Sequence, residues 1–137
     1  MNATRRTVLI AGALSAITAL SVSSAVFAAS DLVEVQSLNA ANKPITVAVP
    51  KNPQRIAVAD FSVLDTLDHW GLGERIVALP QTTALPYLPQ YFKKSKKVTN
   101  LGTLKEIDLE GLMAAEPDVI FISGRLAKKY DELSKIA

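Results

Sequence analysis

The stretch RIAVADFSVLDTLDHWGLGERIVAL, residues 55–79, contains the pattern from which the fold can be predicted. Its first five residues form a short apolar run, which predicts a buried strand. Apolar side chains then recur at helical spacing over residues 63–70, with Ser62 as the predicted N-cap and Gly71 as the predicted stop. A second apolar run at residues 75–79 predicts another strand. A strand, a helix and a strand in this order are typical of a parallel α/β sheet.

The alternation of strands and helices continues along the chain. Residues 96–102 predict a third short strand, after a proline-broken segment at residues 83–94 that predicts one or two helical turns. Asp108 can cap the next helix, which is predicted over residues 109–116. The apolar side chains that this helix is expected to bury are Leu109, Leu112 and Met113.

The run DVIFIS at residues 118–123 predicts a fourth strand, buried from Val119 to Ser123. A last helix is predicted after it. The apolar side chains at helical spacing in this helix are Leu126, Tyr130, Leu133 and Ile136. Since Tyr130 shares their stripe, we expect it to pack in the core rather than to contact a ligand.

Two alternating runs precede this region and predict a β-hairpin over residues 32–49, with NAANKP as its turn. Pro50 and Pro53 prevent its second strand from continuing, so the hairpin is expected at an edge. The predicted fold class is therefore α/β. It is a short parallel sheet flanked by helices and preceded by an N-terminal hairpin, a size that suits one lobe of something larger.

The first 28 residues have the composition of an export signal. A basic start, Met1 to Arg6, is followed by an apolar run and by small residues at the −3 and −1 positions before a predicted cleavage after Ala28. An uncleaved membrane anchor is the alternative. The Arg5-Arg6 pair hints at twin-arginine export, although the general secretory route is favoured. We therefore expect residues 29–137 to form the mature, periplasmic protein.

Composition excludes several functions. The chain has no cysteine, which excludes disulfides, thiolate metal sites and a lipid attached to cysteine. Without the two leader arginines its 13 basic residues balance its 13 acidic residues, which gives no support for nucleic-acid binding. The common catalytic motifs and the usual nucleophile–base pairs are missing, so no enzyme activity is predicted. Asp65 and His69 are spaced as two metal ligands but lack a third, so no metal site is predicted.

A ligand-binding edge is predicted from the order of elements. In open parallel α/β sheets, ligands bind beyond the carboxyl ends of the strands, where the loops after each strand meet. Arg125 is the one fixed cation on those loops, and helix N-termini add positive dipole ends, so an anionic ligand is expected. The candidate ligand-binding residues are Asp60, Phe61, Gln81, Gly102, Thr103, Gly124, Arg125 and Lys128.

Other interpretations of these cations stay open. Arg125 could be a solvated residue in the first turn of its helix, although a cation is unfavourable at that end of a helix. Lys128 and Lys129 could lie on the solvated face of the same helix. The lysines at residues 93–97 are expected to belong to a solvated loop.

Two blocks of sequence resemble periplasmic iron–siderophore-binding proteins of ABC importers. They are VPKNPQRIAVADFSVLDTLDHWGLGERIVALP at residues 49–80 and LGTLKEIDLEGLMAAEPDVIFISGR at residues 101–125. The first contains the family's Pro-x-x-Pro-x-Arg entry into a strand, and the second its Pro-Asp strand ending in Ser-Gly-Arg. The resemblance covers residues 50–137. The ending SGRLAKKYDELSKIA resembles the subgroup that binds ferric catecholate siderophores such as enterobactin and petrobactin.

The resemblance implies a class III periplasmic binding protein, in which two α/β lobes are joined by a long helix and hold the ligand in a cleft. It implies a monomer that binds a ferric siderophore without chemistry or cofactor and delivers it to an ABC permease at the inner membrane. In that subgroup Arg125 matches the first-lobe member of an arginine cluster, and Lys128 matches a basic position. The iron-coordinating residues lie in the second lobe, so residues 29–137 are expected to be an N-terminal lobe alone, of marginal stability.

Three other functions remain possible on the sequence. Related proteins of the same fold bind cobalamin or haem. An exported α/β enzyme could carry its catalytic residues in a second half. A periplasmic adaptor would bind no small ligand.

Overall fold

The computed structural model describes residues 31–93 and 98–137. The predicted leader, residues 1–28, lies outside the described residues, as do four residues of the lysine-rich loop, 94–97. Within the described ranges, no helix is long and apolar enough to cross a membrane.

Six strands and three α-helices follow one another in the described residues. The strands are β1 (Leu32–Leu38), β2 (Pro44–Pro50), β3 (Ile56–Val58), β4 (Ile76–Leu79), β5 (Thr99–Asn100) and β6 (Val119–Phe121). The α-helices are α1 (Phe61–His69), α2 (Leu109–Ala114) and α3 (Tyr130–Leu133). Short 3-10 helices cover Gly73–Arg75, Pro89–Tyr91 and Gly124–Lys129.

The predicted hairpin forms from β1 and β2, which pair antiparallel from Leu32↔Pro50 to Leu38↔Pro44. It is a separate two-stranded sheet. Its strands remain largely exposed, and apolar side chains such as Leu38, 53% exposed, face solvent.

The main sheet has four parallel strands in the order β5-β4-β3-β6. The central strand β3 is buried along its whole length. Its side chains alternate between two cores because successive residues of a strand point to opposite faces. Ile56 and Val58 pack with α1, whereas Ala57 and Ala59 pack with α2 and α3. The predicted parallel sheet covered on both faces is thereby confirmed.

Helix α1 begins at Phe61, two residues earlier than the predicted cap implies. The N-cap is Asp60, whose side chain accepts a hydrogen bond from the Ser62 backbone N–H at 2.8 Å. The prediction of Ser62 as the cap is wrong because Asp60 already has the extended backbone of a capping residue, which places Ser62 in the first turn. Gly71 ends the helix as predicted, with a φ of 73° that favours glycine.

Helix α2 is capped by Asp108, as predicted, through a hydrogen bond from the Gly111 N–H at 3.0 Å. Leu112 is fully buried and Leu109 is half-buried, but Met113 is 53% exposed, so its predicted burial is wrong. Successive helical residues are about 100° apart. A six-residue helix lying on the sheet therefore buries the i, i+3 stripe and turns Met113 toward solvent.

The last strand and helix are shorter than predicted. β6 is half-buried rather than fully buried, and Phe121 is 37% exposed, because this strand is at the edge of the sheet. The segment after it starts as a 3-10 helix and becomes α-helical only at α3. Leu126 and Leu133 are buried as predicted, whereas Tyr130 and Ile136 are half-buried.

The two family-like sequence blocks meet at the amino edge of the sheet. The Asp118 carboxylate, at the start of β6, accepts hydrogen bonds from the backbone N–H groups of Gln54 and Arg55 at 2.7 and 2.9 Å. The Arg55 side chain in turn donates to the carbonyl oxygens of Ala115 and Glu116 at the end of α2. These bonds fix β3, α2 and β6 relative to one another on the side of the sheet opposite the predicted ligand edge.

A buried tyrosine closes the α1 face. Tyr91, 1% exposed, donates a hydrogen bond to Asp68 of α1 at 2.5 Å. Gly73 lies so close to the ring that a Cβ atom there would be 2.0 Å from the Tyr91 hydroxyl oxygen. Burial, followed by the hydrogen bond to Asp68, raises the pKa of Tyr91, so the hydroxyl stays protonated and donates to that carboxylate.

Candidate ligand-binding edge

Because the four strands are parallel, their carboxyl ends lie along one edge of the sheet. The loops after β5, β4, β3 and β6 follow one another there in that order. Neighbouring strands are about 4.8 Å apart, so this row of loops spans about 14 Å. Seven of the eight candidate ligand-binding residues lie in these loops or in the first turns of the helices that follow them, and Lys128 lies one turn further along.

Asp60 is the best fixed side chain of the edge. It follows β3 and is half-buried. One of its oxygens, Oδ1, accepts hydrogen bonds from the backbone N–H and the hydroxyl of Ser62. The Ser62 hydroxyl, together with the N–H groups of Ser62 and Val63 and the Ser123 side chain, holds the pKa of the Asp60 carboxyl below its usual value of 3.8 against the opposing effect of burial. Asp60 is therefore an ionised carboxylate at neutral pH.

Arg125 lies beside it because β3 and β6 are neighbours in the sheet. The distance from Arg125 Nη1 to the second Asp60 oxygen, Oδ2, is 3.9 Å. The Arg125 side chain is 58% exposed, whereas that of Asp60 is 15% exposed. The solvated-residue interpretation of Arg125 and the anion-binding interpretation both omitted this partner, which explains how a cation is accommodated in the first turn of a helix.

The other residues near Arg125 are open to solvent. Gly124 begins the 3-10 helix, and a Cβ atom there would meet nothing within 4 Å. Lys128 is exposed on the following turn. Lys129 forms an ion pair with Glu132 at 3.3 Å, three residues further on. Of the two lysines, only Lys128 remains a candidate for contact with a ligand.

Phe61, at the start of α1 after β3, and Gln81, in the loop after β4, lie at the middle of the edge. The ring of Phe61 packs edge-on against Phe92, with centroids 6.2 Å apart. The Gln81 side chain donates to the backbone carbonyl oxygens of Tyr91 and Val98 at 3.1 and 3.4 Å. Gln81 therefore holds its own loop in place and has less freedom to reach a ligand than the sequence suggests.

The loop after β5 is a tight turn around Gly102, which has a φ of 80°. The Thr103 hydroxyl oxygen accepts hydrogen bonds from the backbone N–H groups of Lys105 and Glu106 at 3.2 and 2.9 Å. The exposed Thr103 thus shapes the rim of the edge. Its distance along the row from Arg125 is three strand spacings, so the structure does not bring these two candidates together.

Two side chains that the sequence analysis did not select join neighbouring loops. The Asn100 side-chain oxygen accepts from the backbone N–H groups of Gln81 and Gly102 at 3.1 and 2.9 Å, which ties the β4 and β5 loops together. Ser123, in the β6 loop, lies close enough to Asp60 in the β3 loop to help lower the pKa of its carboxyl. Asparagine or serine directly after a strand is a signal for such turns, but the partner across the sheet is not visible in the sequence.

Metal binding finds no support in the part of the chain that the structure describes. In residues 31–93 and 98–137, no three His, Cys, Asp or Glu side chains are grouped so that they could hold a metal ion. Asp65 and His69 are both exposed on α1.

A groove of about 250 Å³ adjoins the predicted ligand edge at Gly124. It lies between the hairpin turn and the turn at Ser123 and Gly124.

The sheet is open and parallel, neighbouring loops meet at its polar carboxyl edge, and a guanidinium is exposed there. This is the architecture of an α/β ligand-binding lobe. The model of the family described as "Periplasmic binding protein" matches residues 56–137. The chain belongs to this family. The predictions of its fold class and of its relatives are thereby confirmed, and membership in a family of binding proteins disfavours the exported enzyme.

Several of the similar proteins are siderophore-binding proteins. The chain is 43% identical over 89 residues to the petrobactin-binding protein YclQ of Bacillus subtilis, which covers 65% of this chain and 27% of that protein. The YclQ crystal structure superposes with a TM-score of 0.67 at 36% identity, over 76% of this chain and 35% of that one.

Two further solved structures are similar. The siderophore-binding protein BauB, bound to two acinetobactin molecules and ferric iron, gives a TM-score of 0.64 at 29% identity, over 76% of this chain and 34% of that one. The catecholate-siderophore-binding protein VctP of Vibrio cholerae gives a TM-score of 0.58 at 31% identity, over 76% of this chain and 35% of that one. This chain therefore spans about a quarter to a third of the length of these proteins.

Proposed function

We propose that this chain is one lobe of a solute-binding protein that captures a ferric siderophore of the catecholate type and delivers it to an ABC permease at the inner membrane. The observation that carries the proposal is the guanidinium of Arg125, 58% exposed at the carboxyl edge of the sheet. The relatives that bind petrobactin, acinetobactin complexes and catecholate siderophores support the same ligand class.

The chemistry of such a ligand suits this edge. A ferric tris-catecholate is a trianion with aromatic faces. An arginine offers it planar N–H donors and a flat surface on which a catechol ring can stack, and both interactions strengthen where water is excluded. The exposed Lys128, one turn further on, adds a second positive charge. The lobe binds and releases its ligand unchanged, and no step of covalent chemistry is required of it.

We also propose the setting in which it works. Cleavage after Ala28 releases residues 29–137 into the periplasm, where the protein acts as a monomer without a lipid anchor. The absence of cysteine supports the lack of a lipid. Mass spectrometry of the exported protein tests this proposal, because a mature N-terminus at Ala29 with an unmodified mass is expected.

Calorimetric titration tests the ligand: ferric petrobactin is titrated into the natural gene product that contains this chain, and the heat of binding is measured. Arg125→Ala is expected to weaken binding by about tenfold or more, because a hydrogen-bonded charge is worth about 1.5–3 kcal/mol. Lys129→Ala is the matched control, since Lys129 is already paired with Glu132, and its affinity should stay within twofold.

If the affinity of Arg125→Ala for ferric petrobactin is within about twofold of the wild-type affinity, the proposed role of Arg125 is wrong. Tight binding of haem or cobalamin, with none of ferric petrobactin or ferric enterobactin, would replace the siderophore by another ligand of the same fold.

A further inference from the structure

The Asp60 carboxylate lies where an anionic ligand is proposed to bind, and this calls for a physical reason. Its Oδ2 atom is 3.9 Å from Arg125 Nη1, so any anion that contacts this guanidinium also approaches a negative charge. A carboxylate placed there without a purpose would weaken binding of the ligand. The contacts of Asp60 indicate what the carboxylate does.

Asp60 has little freedom to move. Its Oδ1 atom accepts from the backbone N–H of Ser62 at 2.8 Å and from the Ser62 hydroxyl, and its backbone carbonyl accepts from the Leu64 N–H at 3.1 Å. The Ser123 side chain, in the loop after β6, lies close enough to help lower the pKa of this carboxyl. The two hydrogen bonds from Ser62 fix the Oδ1 atom, and the direction of the Oδ2 atom is fixed with it.

Arg125 has no comparable restraint of its own. It is 58% exposed and sits in a 3-10 helix that begins only one residue earlier. A guanidinium has five N–H donors in a rigid, planar fork. When Nη1 is held toward Asp60, the plane of the fork is restrained, and the donors on its other sides remain available to a second partner.

We propose that Asp60 is a positioning residue for ligand binding, whose fixed carboxylate orients the Arg125 guanidinium so that its remaining donors face the ligand. This inference rests on the proposed function, and it changes the role of Asp60 from a ligand contact to a support for one.

A double-mutant cycle tests the proposal in the natural gene product that contains this chain. Asp60→Asn keeps an acceptor for the Ser62 N–H, so the cap of α1 survives, but it removes the charge that restrains Arg125. Calorimetric titration with ferric petrobactin then gives the cost of Arg125→Ala in both backgrounds. Within each background the direct effect of residue 60 on the ligand is the same before and after Arg125→Ala, so it cancels from the cost of that substitution.

The expected cost of Arg125→Ala is about tenfold in the wild-type background and less than threefold in the Asp60→Asn background. Costs that agree within threefold would overturn the positioning role. If Asp60→Asn does not fold, as judged by its thermal melt, Asp60→Ser is measured instead, because serine is an equally good cap without a charge.

Asp108→Asn is the matched control. Asp108 caps α2 by accepting from the Gly111 N–H at 3.0 Å, as Asp60 caps α1, but it belongs to the loop at the far end of the row. Arg125→Ala should still cost about tenfold in this background. If Asp108→Asn reduces the cost of Arg125→Ala as much as Asp60→Asn does, any weakened helix cap has the same effect. That result contradicts a specific positioning role for Asp60.

The outcomes separate this inference from the proposed function. Binding of ferric petrobactin with a tenfold loss for Arg125→Ala in every background leaves the function intact and overturns only the role of Asp60. Failure of the wild-type protein to bind ferric petrobactin at all overturns the proposed function, and the positioning role with it.

Discussion

Asp60 has two roles that the sequence does not assign to it. It caps α1, which the sequence assigns to Ser62, and it faces Arg125, which the sequence treats as an isolated cation. Both results have one cause. A short carboxylate directly after a strand reaches the N–H groups of the next helical turn with one oxygen and the neighbouring loop with the other.

The ionisation of Asp60 predicts a specific pH dependence. Its pKa is lowered on folding from 3.8, so its contribution to the free energy of unfolding is complete above about pH 5 and is lost as the pH falls through the lowered value. Urea unfolding of the wild type and Asp60→Asn should therefore differ most near neutral pH and converge below pH 3.8. A difference that stays constant down to pH 2.5 would show that the charge of Asp60 contributes nothing.

A second prediction concerns the close approach of Gly73 to Tyr91. A Cβ atom at residue 73 would lie 2.0 Å from the Tyr91 hydroxyl oxygen, so Gly73→Ala should lower the free energy of unfolding by about 1–3 kcal/mol. Tyr91→Phe removes that oxygen, and the double mutant should be more stable than the sum of the two single changes. Gly124→Ala, which meets nothing within 4 Å, is the control and should change stability by less than about 0.5 kcal/mol. Strictly additive effects would contradict a clash with the hydroxyl.

At the scale of elements, the sequence predicted which segments would be strands and helices but not which side of a short helix would be buried. The pattern of α2 offers three apolar side chains for one face, and only two of them fit against the sheet. The length and tilt of a helix decide this, and both depend on neighbours that are distant in sequence. β6 was likewise predicted as buried because its apolar run does not reveal that the strand lies at an edge.

The two faces of α2 give a direct test. Leu112→Ala should destabilise the protein by about 2–5 kcal/mol, because Leu112 is fully buried between α2 and the sheet. Met113→Gln should change the free energy of unfolding by less than about 0.5 kcal/mol, since Met113 is 53% exposed. Chemical denaturation measures both, and comparable losses at the two positions would mean that the helix is rotated relative to the structure.

At the scale of the whole molecule, the bonds that stabilise the sheet and the candidate ligand contacts lie at opposite edges of it. Two residues of the motifs by which the sequence resembles its family, Arg55 and Asp118, bond to one another at the amino edge. The candidate ligand contacts occupy the carboxyl edge. The sequence could predict this division, because parallel topology follows from the alternation of elements. It could not predict the pairing of Asp60 with Arg125, because that depends on β3 and β6 being neighbours, and they are far apart in sequence.

This division predicts different effects at the two edges. Arg55→Ala removes the side chain that bonds to the carbonyl oxygens of Ala115 and Glu116, and should lower the free energy of unfolding by about 1–3 kcal/mol. Its affinity for ferric petrobactin, measured below the melting temperature, should stay within twofold. Lys51→Ala, at an exposed position near the same edge, should alter neither quantity. A tenfold loss of affinity in Arg55→Ala would show that the two edges are coupled.

The central position of β3 also constrains the order in which the protein folds. Among the described strands of this sheet β6 comes last in the chain, and the hydrogen bond from the Arg55 N–H to Asp118 closes a loop of 63 residues. Contacts between β3 and β4 can form early, but the central strand stays open on one side until β6 arrives, and closing so long a loop is slow. The half-finished sheet is therefore exposed to solvent while the chain is being synthesised.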